Sequence, residues 1–185
     1  MLRDREGPVV EVPGFCPRRI AFVAPADRLR GNAFERATTS LSTAVEWYGS
    51  SLDWVVRAEP DVELLAEAFR DVVNEGAELL LTAGAAGTDP LDLVFEALRQ
   101  AGGEVVQLGI PVEPGAACWI GSLDRRPVLG LASCELFGQP GALDLLLPRV
   151  LVGETLDTAL LREIAFGGLL LGPPRVAPFH LATGS

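Results

Sequence analysis

The sequence predicts an α/β protein of three layers, α/β/α, in which helices cover both faces of a mostly parallel, mixed sheet. Short apolar runs alternate with stretches of helical periodicity, which is the pattern of strand–helix–strand units. Glycines, alanines and prolines follow several of these runs, as is typical of turns at strand ends. After Gly103 the rhythm changes to two strands around a short turn, which predicts an antiparallel hairpin and therefore a mixed sheet.

Length and composition predict one domain with tails. The chain has 185 residues, of which 49% are hydrophobic, and this is enough for one core. Residues 1–17 are polar and interrupted by prolines, and we expect them to form an N-terminal arm. We assign residues 18–154 to the α/β domain, and residues 155–185 to a C-terminal helix followed by an irregular tail.

The charged residues and cysteines exclude several classes of function. The formal net charge is −10, and all 15 basic residues are arginines, which argues against nucleic acid and anionic membranes as partners. The lack of lysine rules out Schiff-base chemistry. Cys16, Cys118 and Cys134 are far apart and predict neither a disulfide framework nor a zinc site. Because no signal peptide or membrane-spanning stretch is evident, we expect a cytoplasmic protein.

The first half of the chain predicts two strand–helix pairs. The predicted strands are Ile20–Ala24 and Leu52–Ala58, and the predicted helices run from Asn32 to Gly49 and from Asp61 to Gly76. Asp61 is the expected N-cap of the second helix. Asp27 follows the first strand at the edge where open α/β sheets bind ligands, but a loop-capping aspartate is the alternative.

A third strand and a small-residue loop form the centre of the predicted fold. Leu79, Leu80 and Leu81 make an apolar run that ends at Thr82, as expected of a strand buried on both faces. The loop Ala83–Thr88 consists largely of glycine and alanine, so its backbone N–H groups are accessible to a ligand.

The helix after this loop is predicted to begin at Asp89. Asp89 fits an N-cap, Pro90 the first helical position and Asp92 the carboxylate of a capping box, while Gly102–Gly103 ends the helix. A strand, a small-residue loop and a helix N-terminus are typical of anion sites, although a simple tight connection has the same pattern. The lysine motif of a P-loop is absent.

The second half predicts one further strand, the hairpin and two helices. The predicted elements are strands Glu104–Leu108, Cys118–Leu123 and Val128–Ala132, and helices Leu143–Val152 and Asp157–Phe166. Arg125 and Arg126 are expected to be solubilising charges at the hairpin tip. Ala132–Gly138 is a second small-residue loop, and we expect it to lie beside the first loop at the carboxyl edge of the sheet.

The run from Leu79 to Glu154 resembles the molybdopterin-binding domain shared by molybdopterin molybdotransferases, molybdopterin adenylyltransferases and the competence-damage family. In that family a Thr-Gly-Gly loop and an aspartate precede a Gly-Gly-Glu-Val turn, a Pro-Gly-Lys-Pro segment and a hairpin that ends in Leu-Pro-Gly-Asn-Pro. The corresponding residues are Thr82-Ala83-Gly84, Asp89 and Asp92, Gly102-Gly103-Glu104-Val105, Pro114-Gly115-Ala116-Ala117 and Leu131-Ala132-Ser133-Cys134-Glu135.

The resemblance implies a fold of the molybdopterin-binding type and a set of site residues. The implied ligand-binding residues are Thr82, Ala83, Gly84, Ala85, Ala86, Gly87, Thr88, Pro114, Gly115, Ser133 and Cys134. Asp89 and Asp92 are the candidate catalytic residues, and Asp89 is the candidate ligand of a Mg²⁺ ion. The alternatives are that both aspartates only cap the helix and that Cys134 only fills space.

Two departures from the family pattern bear on activity. Ala116 stands at the position of the family's lysine, and Ala132-Ser133-Cys134-Glu135 replaces Pro-Gly-Asn-Pro. The first departure removes a cation for phosphate, and the second removes a tight backbone turn.

Three functions follow from the resemblance and its departures. The first is a protein that binds molybdopterin or the molybdenum cofactor without strong turnover. The second is an enzyme of adenylyl transfer or molybdate insertion that depends on Mg²⁺. The third is a structural partner of a cofactor-maturation enzyme. The apolar segment Leu160–Leu171 or the N-terminal arm further predicts a homo-oligomer, with closure of the chain's own core as the alternative.

Overall fold

The computed structural model describes residues 13–84 and 89–165. The strands in these ranges are β1 Arg19–Pro25, β2 Ser51–Ala58, β3 Leu79–Ala83, β4 Glu104–Leu108, β5 Trp119–Leu123 and β6 Arg126–Leu131. The helices are α1 Ala33–Glu46, α2 Val62–Asn74, α3 Leu93–Gln100, α4 Ser133–Leu136, α5 Ala142–Leu151 and α6 Thr158–Ile164.

The six strands form one mixed sheet with the order β2-β1-β3-β6-β5-β4. Strands β1, β2, β3 and β6 are parallel, because β1 pairs in parallel with β2 and β3, and β3 pairs in parallel with β6. Strand β5 is antiparallel to both β6 and β4. The predicted hairpin and the predicted mixed sheet are therefore confirmed.

Helices cover both faces of the sheet and make the three predicted layers. One core contains buried residues of α1, α5 and α6, and the other contains buried residues of α2 and α3. Side chains alternate along β3, so that Leu79 and Leu81 belong to the first core and Leu80 to the second. All five residues of β3 are buried, which places this strand at the centre of the fold, as its apolar run predicts.

The start of α3 differs from the prediction. The helix begins at Leu93 instead of Pro90, and its N-cap is Asp92, whose Oδ1 accepts a hydrogen bond from the Val94 N–H at 3.0 Å. Asp89 closes a local turn instead, since its Oδ1 accepts from the Leu91 N–H at 3.0 Å. The prediction that Asp89 caps this helix is therefore wrong.

The second small-residue loop is also more regular than predicted. Its residues Ser133–Leu136 form the short helix α4, because Glu135 and Leu136 are buried and the backbone closes one helical turn onto Ala132. The N-cap prediction for α2 is confirmed, as the side chain of Asp61 accepts from the Glu63 and Leu64 N–H groups.

The described part of the C-terminal segment packs against its own chain. Leu160, Leu161 and Ile164 of α6 are buried in the core that contains α1 and α5. This packing supports closure of the core for the part of Leu160–Leu171 that is described, and the homo-oligomer stays a prediction. Among the described residues, no helix has the length and apolar character needed to cross a membrane.

Candidate functional site

A cleft of about 430 Å³ lies at the carboxyl edge of the parallel strands. Ala83 of β3 pairs with Leu131 of β6, so the segments that follow these two strands leave the sheet side by side. The cleft is lined by Arg28, Leu29, Ala33, Ala83, Gly84, Asp89, Asp92, Leu131, Ala132, Ser133, Leu136 and Phe137. The prediction that the described parts of the two small-residue segments meet at one edge is confirmed.

An ion pair between Arg28 and Asp92 forms one wall of the cleft. Arg28 Nη2 lies 2.8 Å from Asp92 Oδ2, and the side chains are 38% and 4% exposed respectively. The arginine also lies 3.8 Å from the Asp27 carboxylate, measured from Nε to Oδ1. Arg28 is the basic residue among the described residues that line the cleft. It places a positive charge in a cleft whose other charged lining residues are Asp89 and Asp92.

Arg28 lies directly over the end of β3. A side chain added at Gly84 would contact the Arg28 Cγ at 3.5 Å and the Nε at 3.6 Å, and Gly84 has a positive φ of 99°. The positive φ favours glycine for this backbone turn, and Arg28 lies at ordinary contact distance beside it.

Trp119 also contacts the turn at Gly84. Its Nε1 donates a hydrogen bond to the Gly84 carbonyl at 3.3 Å, and its ring packs edge-on against Phe95 with centroids 5.0 Å apart. The indole crosses β6 at Gly130, where any Cβ would overlap the ring. The turn at Gly84 thus lies against both Arg28 and Trp119.

The predicted site residues divide into four groups. Ala83, Gly84, Asp89, Asp92 and Ser133 line the cleft. Thr82 is fully buried in β3, and its hydroxyl has no hydrogen-bond partner among the described residues. Ala85, Ala86, Gly87 and Thr88 lie outside the described residues. Pro114, Gly115 and Cys134 are absent from the lining of the cleft.

Pro114 and Gly115 pack against the start of α5. The carboxylate of Glu135 is buried there and accepts a hydrogen bond from the Leu143 N–H at 3.2 Å. A Cβ at Gly115 would lie 2.7 Å from Glu135 Oε1 and 2.6 Å from the Ala142 nitrogen. The turn at Gly115 is therefore needed for the packing of α4 and α5, which is a structural role that the sequence analysis did not identify.

The carboxylates of the cleft are engaged with protein groups. Asp92 bonds to Arg28 and to the Val94 N–H, and Asp89 bonds to the Leu91 N–H. Within residues 13–84 and 89–165, no group of three His, Cys, Asp or Glu side chains is arranged to hold a metal ion. Asp89 as a Mg²⁺ ligand and both aspartates as catalytic residues stay predictions.

The surroundings of Cys134 disfavour ionisation of its thiol. Partial burial raises its pKa above the ordinary value of 9.0, and the negative charge of Glu135 raises it further. A protonated thiol is a weak nucleophile. This electrostatic environment favours the interpretation of Cys134 as a packing residue.

Arg28 is the charged cleft residue that was not predicted from the sequence, and the apolar lining residues Leu29, Ala33, Leu136 and Phe137 were not predicted either. Arg28 is adjacent to Asp27, which was placed at the carboxyl end of the first strand, and that position was the available signal. Its partner Asp92 is 64 residues away in the chain, so the ion pair depends on the tertiary fold.

The fold and the cleft together define an α/β domain with a mixed sheet, which has a cleft at the carboxyl edge of its parallel strands. The structure resembles the molybdopterin biosynthesis MoeA protein from Pyrococcus horikosii, with a TM-score of 0.56 and 20% sequence identity. The likeness covers 74% of this chain and 35% of that chain. The chain therefore has a MoeA-like fold, as the sequence resemblance predicts, and spans about a third of the MoeA protein.

Two weaker likenesses have TM-scores below 0.5. The protein CinA from Thermoplasma acidophilum has a TM-score of 0.48 and 13% identity, over 64% of this chain and 90% of that chain. The molybdopterin biosynthesis enzyme MoaB from Thermus thermophilus has a TM-score of 0.47 and 13% identity, over 74% of this chain and 98% of that chain. No protein-family model and no curated protein matches the sequence.

Proposed function

We propose that the protein acts in molybdenum-cofactor biosynthesis by binding a phosphate-bearing pterin of the molybdopterin type in the cleft, without strong turnover. The MoeA-like fold and the motif resemblance of Leu79–Glu154 support the ligand class. The position of Arg28 at the carboxyl edge of β3 is the observation that carries the proposal.

Arg28 supplies the cation that Ala116 cannot supply. A guanidinium has five N–H donors in a planar fork that matches phosphate oxygens, and one of its nitrogens is bonded to Asp92. Because the side chain is 38% exposed, donors remain accessible from the cleft. Asp92 holds the guanidinium in place before a ligand arrives, which lowers the entropic cost of ordering the arginine.

The remaining lining suits the uncharged part of such a ligand. Leu29, Ala33, Leu131, Leu136 and Phe137 provide an apolar surface beside the charged wall. A volume of about 430 Å³ falls within the usual range for small-molecule sites. The cleft thus combines one anion-binding wall with an apolar wall for a planar ring.

The absence of strong turnover is inferred from the engaged carboxylates. Asp92 already pairs with Arg28 and caps α3, so its use as a metal ligand would cost both interactions. Asp89 is exposed and its Oδ1 is bonded to the Leu91 N–H. These contacts favour binding over phosphoryl chemistry that requires a metal.

The experiment titrates the purified protein with molybdopterin and measures the binding by calorimetry. Arg28→Gln should weaken binding by about tenfold or more, because hydrogen bonds to charged groups contribute about 1.5–3 kcal/mol. Arg28→Lys should bind with intermediate affinity, because it keeps the charge but loses the planar fork. Arg30→Gln is the matched control, since Arg30 lies on the same loop, is exposed and is absent from the cleft lining.

Three outcomes distinguish the hypotheses. Binding that is lost in Arg28→Gln and kept in Arg30→Gln supports the proposal. A clear rate of adenylyl transfer or molybdate insertion with Mg²⁺ would replace it by the enzyme hypothesis. Absence of pterin binding by the unmodified protein would reject it and leave the structural-partner hypothesis.

A further inference from the structure

A second depression, of about 350 Å³, lies at the opposite edge of the sheet. It is lined by residues that precede β1 and β3, by the turn between β5 and β6, and by the segment after α5. Strands of five to seven residues, at about 3.3 Å per residue, separate it from the cleft by about 15–25 Å. A ligand in this depression would not touch Arg28.

Three arginines converge on the depression in a chain of net charge −10. They are Arg18, Arg125 and Arg126. Two glutamates also line the depression, and both are paired, Glu78 in part with Arg18 itself. Glu78 accepts from the Arg19 N–H at 3.0 Å, and Glu154 accepts from Arg149 at 2.9 Å.

Part of the donor capacity of these arginines is unused. The Nε of Arg18 is buried and has no hydrogen-bond partner among the described residues, while its Nη1 lies 3.5 Å from Glu78. Arg125 makes no hydrogen bond or ion pair recorded among the described residues, whereas Arg126 pairs with Asp124 in the same turn. Arg18 and Arg125 both line the depression, and arginine N–H groups are suited to an oxyanion.

The backbone of the turn favours residues other than arginine. Asp124 and Arg125 are the two central residues of the turn, with φ angles of 48° and 61°. Both positions of such a turn require left-handed backbone, for which Asn-Gly is the preferred pair. An arginine at the second position is strained, and retained strain of this kind is a reason to look for a function.

We propose that this depression binds an oxyanion, a phosphate or carboxylate group of a small ligand, through Arg18 and Arg125. The site is independent of the proposed pterin cleft, because it is built on the opposite ends of the same strands. Arg126 contributes positive charge, and its pairing with Asp124 fixes the turn that presents Arg125. The proposal replaces the interpretation of the hairpin-tip arginines as solubilising charges only.

The test is calorimetric titration of the full chain at low salt with two probes, inorganic pyrophosphate and tricarballylate. Arg125→Gly removes the guanidinium and also suits the left-handed backbone, so the variant should fold at least as stably as the unmodified protein. Its affinity for the preferred probe should fall by about tenfold. Arg99→Gln, an equal change of charge on the exposed surface of α3, should change affinity less than twofold, on the order of experimental error.

The outcomes show whether the anion binds in this depression or in the cleft that contains Arg28. Stronger binding of pyrophosphate assigns a phosphate ligand, and stronger binding of tricarballylate assigns a carboxylate ligand. Loss of binding in Arg28→Gln with retention in Arg125→Gly would move the anion to the cleft and overturn the proposal. Absence of binding of either probe at concentrations on the order of 10 mM would leave the arginines as solubilising charges.

Discussion

The guanidinium of Arg28 lies 2.8 Å from the carboxylate of Asp92, and the same carboxylate caps helix α3. Asp92 therefore connects the cation of the cleft to the start of the helix that follows β3. Its side chain is 4% exposed, so both interactions are made away from bulk water. The stability of α3 and the position of Arg28 depend on one residue.

We predict that Asp92→Ala lowers the free energy of unfolding by about 1–3 kcal/mol. Loss of an N-cap costs about 0.5–2 kcal/mol, and loss of a partly buried charge partner adds to this. Urea unfolding measures the change. Asp89→Ala is the matched control and should cost less than about 0.5 kcal/mol, since Asp89 is exposed and bonds within its own turn.

Asp92→Asn separates the two interactions. Asparagine is as good an N-cap as aspartate but cannot form the ion pair with Arg28. We expect its stability to lie between those of the unmodified protein and Asp92→Ala. Equal stability of Asp92→Ala and Asp89→Ala would show that Asp92 does not have the role assigned to it.

A second prediction concerns the contact between Gly130 and Trp119. A Cβ at Gly130 would overlap the indole ring, which also contacts Phe95 and the Gly84 carbonyl. We expect Gly130→Ala to lower the free energy of unfolding by about 1–3 kcal/mol, which is typical of overpacking in a core. Thermal or urea unfolding measures this.

Gly14→Ala is the control for the Gly130 substitution. Nothing lies within 4 Å of a Cβ at Gly14, so the change should be close to neutral. Because Trp119 positions Gly84, Gly130→Ala should also weaken ligand binding in the cleft at temperatures where the variant is folded. A variant with unchanged stability would mean that the indole moves aside at little cost.

The sequence predicts the sheet and the helices well because their signals are local. The leucines of β3 form an apolar run, and the Asp61 cap precedes a helix with a buried face at helical spacing. Both patterns depend on neighbouring residues only. The strand–turn–strand pattern of β5 and β6 also lies within a short stretch, which is why the hairpin was predicted.

The residues of the cleft were predicted less completely because tertiary contacts select them. Asp89 and Asp92 both lie at positions where the sequence allows a helix N-cap. The pairing of Asp92 with Arg28 from a distant segment favours Asp92 as the N-cap. The same pairing makes Arg28 a cleft residue, for which the local sequence offers one signal, its position after the first strand. Gly115 resembles a ligand-binding glycine in sequence, but its surroundings are Glu135 and Ala142.

A third prediction concerns stability at alkaline pH. Burial raises the pKa of the Cys118 thiol far above its ordinary value of 9.0, and the charge of Glu135 raises it further. The folded thiol therefore stays protonated where the unfolded thiol ionises. Its contribution to stability is complete below about pH 9 and is lost as the pH rises toward the folded pKa.

Urea unfolding measures this loss of stability between about pH 8 and about pH 10, which is on the order of one unit on either side of the ordinary thiol pKa. Above pH 9 the Cys118 thiol should lower the free energy of unfolding by up to about 1.4 kcal/mol per pH unit. Cys118→Ala should show a smaller slope over the same range, whatever its stability at pH 7. Equal slopes in the two proteins would show that Cys118 ionises equally in both states.

The last prediction concerns salt and the proposed pterin site. The net charge of −10 repels an anionic ligand at long range, whereas Arg28 attracts it at short range. The Debye length falls from about 30 Å at 0.01 M salt to about 10 Å at 0.1 M, so added salt screens the distant carboxylates first. The affinity for molybdopterin should therefore rise with salt up to about 0.1 M and then fall as the contact with Arg28 is screened.

The variant Arg28→Gln tests this account. Its affinity should still rise with added salt but should fall little at higher salt, because its remaining interaction with the ligand is the long-range repulsion. Calorimetric dissociation constants at a series of NaCl concentrations measure both the rise and the fall of the affinity. A steady loss of affinity from the lowest salt concentration would mean that local positive charge dominates over the net charge, contrary to this account of the cleft.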